Sequence, residues 1–131
     1  MLKLFQHSKI HRGLLAAAIG FIGYGSWGYY INFCHGNSAA LKALVTQGSY
    51  SFTLTLIAAF IMEWLFQLSS KPVTRFCLTF FITSLLLYSS SWGVNMWAGT
   101  PEILLTILPG AIIGTVYTLS YTLTLFKLSQ V

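Results

Sequence analysis

One carboxylate, Glu63, sits inside a long apolar stretch. An ionisable group in that setting is costly and is by default a candidate functional site, the functional reading being that it exchanges a proton or binds a cation. Thr55, Ala59 and Gln67 fall at four-residue spacings from it, which gives one helical face a small or polar character. Tyr117 and Tyr121, one turn apart in a later apolar stretch, complete a candidate set for a proton, cation or substrate: Glu63, Thr55, Gln67, Tyr117 and Tyr121. A structural role competes with this one. Glu63 lies about 7–8 Å of helical rise inside the end of its stretch. From there it can snorkel to the interface or pair with Lys71, Arg75 or the basic N-terminus.

A second polar set is Asn32, His35, Gln47 and Asn95, extended by Tyr88, Ser89, Ser90 and Ser91. It reads either as an outer vestibule or as ordinary interfacial polarity. His7 and His11 are one turn apart, but no Cys or acid lies near them in sequence, so a solvated face is favoured over a metal site. Cys34 and Cys77 fall at opposite ends of their helices. That places them far beyond the roughly 7 Å Cα separation a disulfide tolerates. There is no Walker loop, dinucleotide glycine fingerprint, nucleophile elbow or HExxH motif. The two acids, Glu63 and Glu102, leave no Asp for a catalytic triad or a metal cluster. The expectation is a protein without enzymatic activity, cofactor or metal.

The elements that must carry these residues are four apolar windows, 13–33, 49–68, 76–97 and 103–125, in which Glu63 is the sole formal charge. About 20 apolar residues in a helix cross a hydrocarbon core of roughly 30 Å. Charged residues make up 7% of the chain, whereas a soluble domain carries about 25%. So few charges could not cover a water-facing surface. The net charge of +5 comes from basic residues scattered over several short segments, which form no nucleic-acid footprint.

Lys3, Lys9, Arg12, Lys71, Arg75 and Lys127 fall on one side if all four windows cross, and Lys42 falls on the other. The positive-inside rule then puts both termini in the cytoplasm. The N-terminus also has the basic start of a signal peptide. However, its small residues, Ala16 to Ala18, open the apolar stretch rather than close it, which favours a retained helix. Leu2, Leu4, Phe5 and Ile10, interleaved with Lys3, Lys9 and Arg12, suit a short interfacial helix before it. Segment 34–48 is either an outer loop with a short surface helix or an outward extension of the second membrane helix, and Gly48 favours a break. Lys71-Pro72 ends the second helix. Pro101 and Glu102 suit the first turn of the fourth, where the acid complements the helix dipole.

Membrane helices associate through small residues and hydrogen bonds rather than hydrophobic burial. Gly110, Gly114, Tyr117, Tyr121 and Thr124 form one seam, and Ala16, Gly20, Gly23, Trp27 and Tyr30 a second. Gly20, Gly23, Gly110 and Gly114 are therefore the expected packing positions. Pro109 removes a backbone hydrogen bond within the fourth window, so the carbonyl it frees needs another donor.

These features predict an all-α integral membrane protein, a single domain over 1–131. It is an up-down antiparallel bundle of four transmembrane helices with cytoplasmic termini, multi-pass in the cell membrane, or in the inner membrane of a bacterium. Two function classes follow. One is a small carrier or permeation protein for a small or lipid-like solute, acting as a homodimer or with a membrane-protein partner. The other is a non-catalytic membrane subunit that assembles with or regulates a larger complex. No nucleic-acid partner is expected.

Overall fold

The computed structural model describes residues 2–130, with side chains from Ile10 onward. Leu2, Leu4, Phe5 and the His7 half of the histidine pair lie outside the described side chains. Among the described residues the regular structure is all helix, with no strand. Helix α1 is Leu2–Asn32, followed by a 3-10 turn at Phe33–His35. Helix α2 is Asn37–Phe66, α3 is Pro72–Ala98 and α4 is Ile103–Ser129. Four stretches are long and apolar enough to cross a membrane: Ile10–His35, Asn37–Phe66, Pro72–Ala98 and Ile103–Ser129.

Local chemistry sets the ends of these helices. Gly36 takes a positive φ of 102° between the 3-10 turn and α2, a conformation that costs glycine nothing. Lys71 is extended ahead of Pro72, which opens α3. Gly99 closes α3 in the left-handed region. Thr100 N–H reaches Asn95 O at 2.9 Å and Gly99 N–H reaches Met96 O at 3.2 Å, the Schellman pattern. Glu102 is the N-cap of α4, so Pro101 precedes the helix rather than entering its first turn.

The basic N-terminal segment is continuous with α1 rather than a separate interfacial helix. Segment 37–48 likewise belongs to α2, which runs unbroken through Gly48. At 30 residues α2 is about 45 Å long, more than a hydrocarbon core requires. Gly48 serves contact rather than termination, since a Cβ there would lie 3.0 Å from ring carbons of Phe21.

The tightest packing joins α1 to α2. A Cβ on Gly28 would meet Ala43 O at 3.0 Å, and one on Gly25 would meet Leu44 O at 3.1 Å. Gly20 faces Ser51 and Thr55, so the two helices run in opposite senses. The α1 seam is therefore Ala17, Phe21, Gly25, Gly28 and Asn32, displaced by one or two residues from the sequence expectation. Ala16 and Gly23 are exposed, and nothing lies within 4 Å of a Cβ on Gly23. In α4, Gly110 faces Tyr24 and Gln47, and Gly114 faces Leu87. That face continues through buried Thr118 and Thr122 rather than through Tyr117, Tyr121 and Thr124.

These contacts predict opposite responses from two glycines of one helix. Gly28→Ala pushes a methyl against a backbone carbonyl and should destabilise the protein by about 1–3 kcal/mol. Gly23→Ala should be neutral or stabilising by up to about 1 kcal/mol, through helix propensity. Unfolding in detergent micelles reads both, and equal effects would refute the assigned face.

Candidate functional site

At the end of the bundle where α1 meets the α3–α4 connection, three amides are buried and bonded. Asn32 Nδ2 donates to Gly28 O and Thr106 Oγ1, each at 2.8 Å, and its Oδ1 accepts from Glu102 N at 3.0 Å. Asn95 Nδ2 donates to Gln47 Oε1 at 3.0 Å and to Ser91 O at 2.9 Å, and its Oδ1 accepts from Thr100 Oγ1 at 2.9 Å. Asn32 and Asn95 are fully buried and Gln47 is 2% exposed. The expected vestibule is thus a closed hydrogen-bonded lock across all four helices. Both amide protons of Asn32 and of Asn95 are spent within the protein. His35 stands apart from the lock, on the surface, with Nε2 3.1 Å from Glu102 Oε1. Glu102 therefore pairs with His35 in addition to sitting at the start of α4.

The carbonyl freed by Pro109 is that of Leu105, four residues earlier. Trp27 Nε1 donates to it at 2.8 Å, so an indole from α1 replaces the N–H that proline lacks. Helix α4 continues through Pro109 without interruption.

The opposite half of the bundle is less satisfied. Tyr121 Oη donates to Glu63 Oε1 at 2.6 Å, and the Tyr117 ring lies 5.9 Å from that of Tyr121. Glu63, Tyr117 and Tyr121 are therefore brought together as grouped from the sequence. Thr55 and Gln67 are not. Thr55 Oγ1 donates to Ser51 O at 2.7 Å and faces α1, while Gln67 is the exposed cap of α2. Four-residue spacing over three turns drifts round a helix of 3.6 residues per turn, which separates the three positions. Arg75 is not Glu63's partner, because its Nε donates to Ser69 O and its guanidinium lies 5.2 Å from the centre of the Phe66 ring.

Tyr117 also lines a cleft of about 280 Å³ between α2, α3 and α4, walled by Leu54, Ile57, Ala58, Ile61 and Leu87. Thr83 lines it too. The Oγ atoms of Thr79, Thr83 and Ser84 are buried without a hydrogen-bond partner. Elsewhere in the bundle such hydroxyls bond the carbonyl one turn back, as Thr115, Thr118 and Thr122 do, each at 2.7 Å. The exceptions sit in and just after a π-helical turn at Leu78–Ile82, where the regular register that back-bonding uses is interrupted. This group escaped sequence reading, because a π turn has no compositional signature here.

Comparison with protein-family models, curated proteins and solved structures gives no match to the chain. Function must therefore be argued from these residues.

The Trp27–Leu105 bond yields a double-mutant cycle. Trp27→Phe leaves Leu105 O without its donor and should cost about 1–3 kcal/mol. In a Pro109→Ala background, where residue 109 supplies its own N–H, the same change should cost less than half as much. Equal costs, measured by unfolding in micelles, would show that the indole acts by packing alone.

Proposed function

We propose that the chain is a small multi-pass carrier or permeation protein for a small or lipid-like solute, with Glu63 as its proton- or cation-exchanging group. The observation that carries this reading is the Tyr121–Glu63 hydrogen bond of 2.6 Å. It is linked through Tyr117 to the cleft. A carboxylate with one phenolic donor is held in place yet keeps acceptor positions for a proton or a cation, and adjacent aromatic faces attract cations.

In this proposal the four helices form an up-down bundle across the cell membrane, with Lys71, Arg75, Lys127 and both termini on the cytoplasmic side. Glu63 lies eight residues before Lys71 and Tyr121 six residues before Lys127, or roughly 9–12 Å at the rise of a helix. That places the pair towards the inner leaflet. The amide lock then closes the outer half, and exchange is reached from the inner half or laterally through the cleft. A single bundle encloses little space, so the working form is a homodimer or a complex with another membrane protein. Binding and release suffice, without a covalent step or a cofactor.

The alternative is a non-catalytic subunit of a larger membrane complex. The buried, bonded amides of Asn32 and Asn95 favour it, because a carrier must at some stage open both sides.

The test uses protein reconstituted in vesicles that enclose a pH-sensitive dye, with sodium, potassium or neither on the far side. Wild type should dissipate an imposed pH gradient faster than protein-free vesicles. Glu63→Gln should fall to the protein-free rate while shifting stability by no more than about 1 kcal/mol, as for an exposed polar pair. Tyr121→Phe should retain flux with an altered pH profile. Equal rates for wild type, Glu63→Gln and empty vesicles would reject the carrier reading and leave the subunit.

A further inference from the structure

We infer that the end of the bundle where α2 passes into α3 holds the phosphate of an anionic phospholipid, gripped by the Arg75 guanidinium with Lys71 and Lys127 beside it. This site does not depend on the carrier reading and makes no use of Glu63.

Arg75 is set in place before a ligand arrives. Its Nε donates to Ser69 O, and its guanidinium lies over the Phe66 ring, 5.2 Å from the ring centre. The turn that holds it is itself closed. Lys71 N–H donates to Ser69 Oγ at 3.2 Å, and Arg75 N–H donates to Lys71 O at 2.9 Å. These contacts use one edge of the guanidinium. Its two Nη groups have no acceptor among the described residues. A planar fork held in this way matches two oxygens of a phosphate, and it loses less side-chain freedom on binding than a flexible base does.

The charge around it has one sign. Lys71 is exposed in the same turn. Lys127 is exposed on α4 next to Phe126, whose ring packs edge-on against that of Phe76 at 6.1 Å. Neither lysine forms an ion pair among the described residues, where the one such pair is His35–Glu102 at the opposite end. Of the two acids in the chain, only Glu63 belongs to this half, and it accepts from Tyr121 Oη. Three cations therefore share one end of the bundle with no carboxylate paired to them, which favours a ligand of net negative charge.

Position selects a lipid over free phosphate. The turn joins two helices that are long and apolar enough to span a bilayer, so it lies at their boundary with water. Trp64, 61% exposed, precedes it by about two helical turns, and such rings prefer the headgroup layer. Leu68 and Val73 flank the cations and are more than half exposed. Acyl chains can cover these apolar side chains, and an inorganic ion cannot. A zwitterionic headgroup would bring its own ammonium among the three cations, so a net anionic lipid such as phosphatidylglycerol is preferred.

The test titrates the full chain in detergent micelles with phosphatidylglycerol, or with phosphatidylcholine of the same acyl chains, and counts bound lipid by native mass spectrometry. Phosphatidylglycerol should bind about fivefold more tightly or better. Arg75→Gln should weaken its binding about tenfold or more, the increment of a hydrogen bond to a charged group. Arg75→Lys should recover only part of that loss, because a point charge lacks the fork. Lys71→Gln and Lys127→Gln, which remove ammonium groups without a partner among the described residues, should each weaken binding about two- to fivefold and leave unfolding in micelles unchanged. Lys42→Gln, at the opposite end, should have no effect. Equal binding of the two lipids would overturn the inference, as would a loss in Lys42→Gln as large as in Lys71→Gln, or wild-type binding by Arg75→Lys. Displacement of the lipid by millimolar inorganic phosphate at fixed ionic strength would assign the site to the free ion and overturn the lipid assignment.

Discussion

In a medium that offers no water, every polar group must find its partner inside the protein. The amide lock of Asn32, Gln47 and Asn95 meets that constraint most completely. It ties α1 to α4 through Thr106, α2 to α3 through Gln47 and Asn95, and the α3–α4 connection to both through Thr100 and Glu102. Much else in the fold follows from it. The glycine contacts of α1 with α2 bring the backbones close enough for Asn32 and Gln47 to stay buried. The indole of Trp27 then reaches Leu105, so α4 can carry Pro109 beside the lock without exposing a bare carbonyl.

The other half of the bundle obeys the same constraint less well, and the candidate residues Glu63, Tyr117 and Tyr121 lie there. Three hydroxyls near the π turn lack partners, a cleft opens between three helices, and the one carboxylate within the apolar windows is bonded to a tyrosine. The unpartnered hydroxyls are themselves inaccessible and mark where regular back-bonding is interrupted by the π turn. The asymmetry between a closely bonded half and a more open half is the feature on which the proposed function rests.

The sequence disclosed the number of helices and their approximate spans, because length and apolarity alone decide those. It also disclosed that Glu63 belongs with Tyr117 and Tyr121, and that Pro109 leaves a carbonyl in need of a donor. Rotational phase was harder to read. A helix that is apolar towards lipid and apolar towards its neighbours has little contrast between faces, so the α1 seam came out one or two residues from Ala17, Gly25 and Gly28. Gly48 illustrates a second ambiguity. The same residue type stops a helix or admits a neighbour's ring, and only Phe21 decides between them. The third concerns Asn32, Gln47 and Asn95. A row of polar residues near helix ends suits a vestibule or a lock equally well until their partners are known.

The central claim is that stability is concentrated in the amide-locked half and relaxed around the π turn. Amide hydrogen exchange in lipid nanodiscs measures this directly, because local opening follows local packing and bonding. Within the single helix α3, residues 91–98 should exchange more slowly than residues 78–84, with both segments compared at matched depth from their helix ends. Faster exchange at 91–98 than at 78–84 would contradict the account.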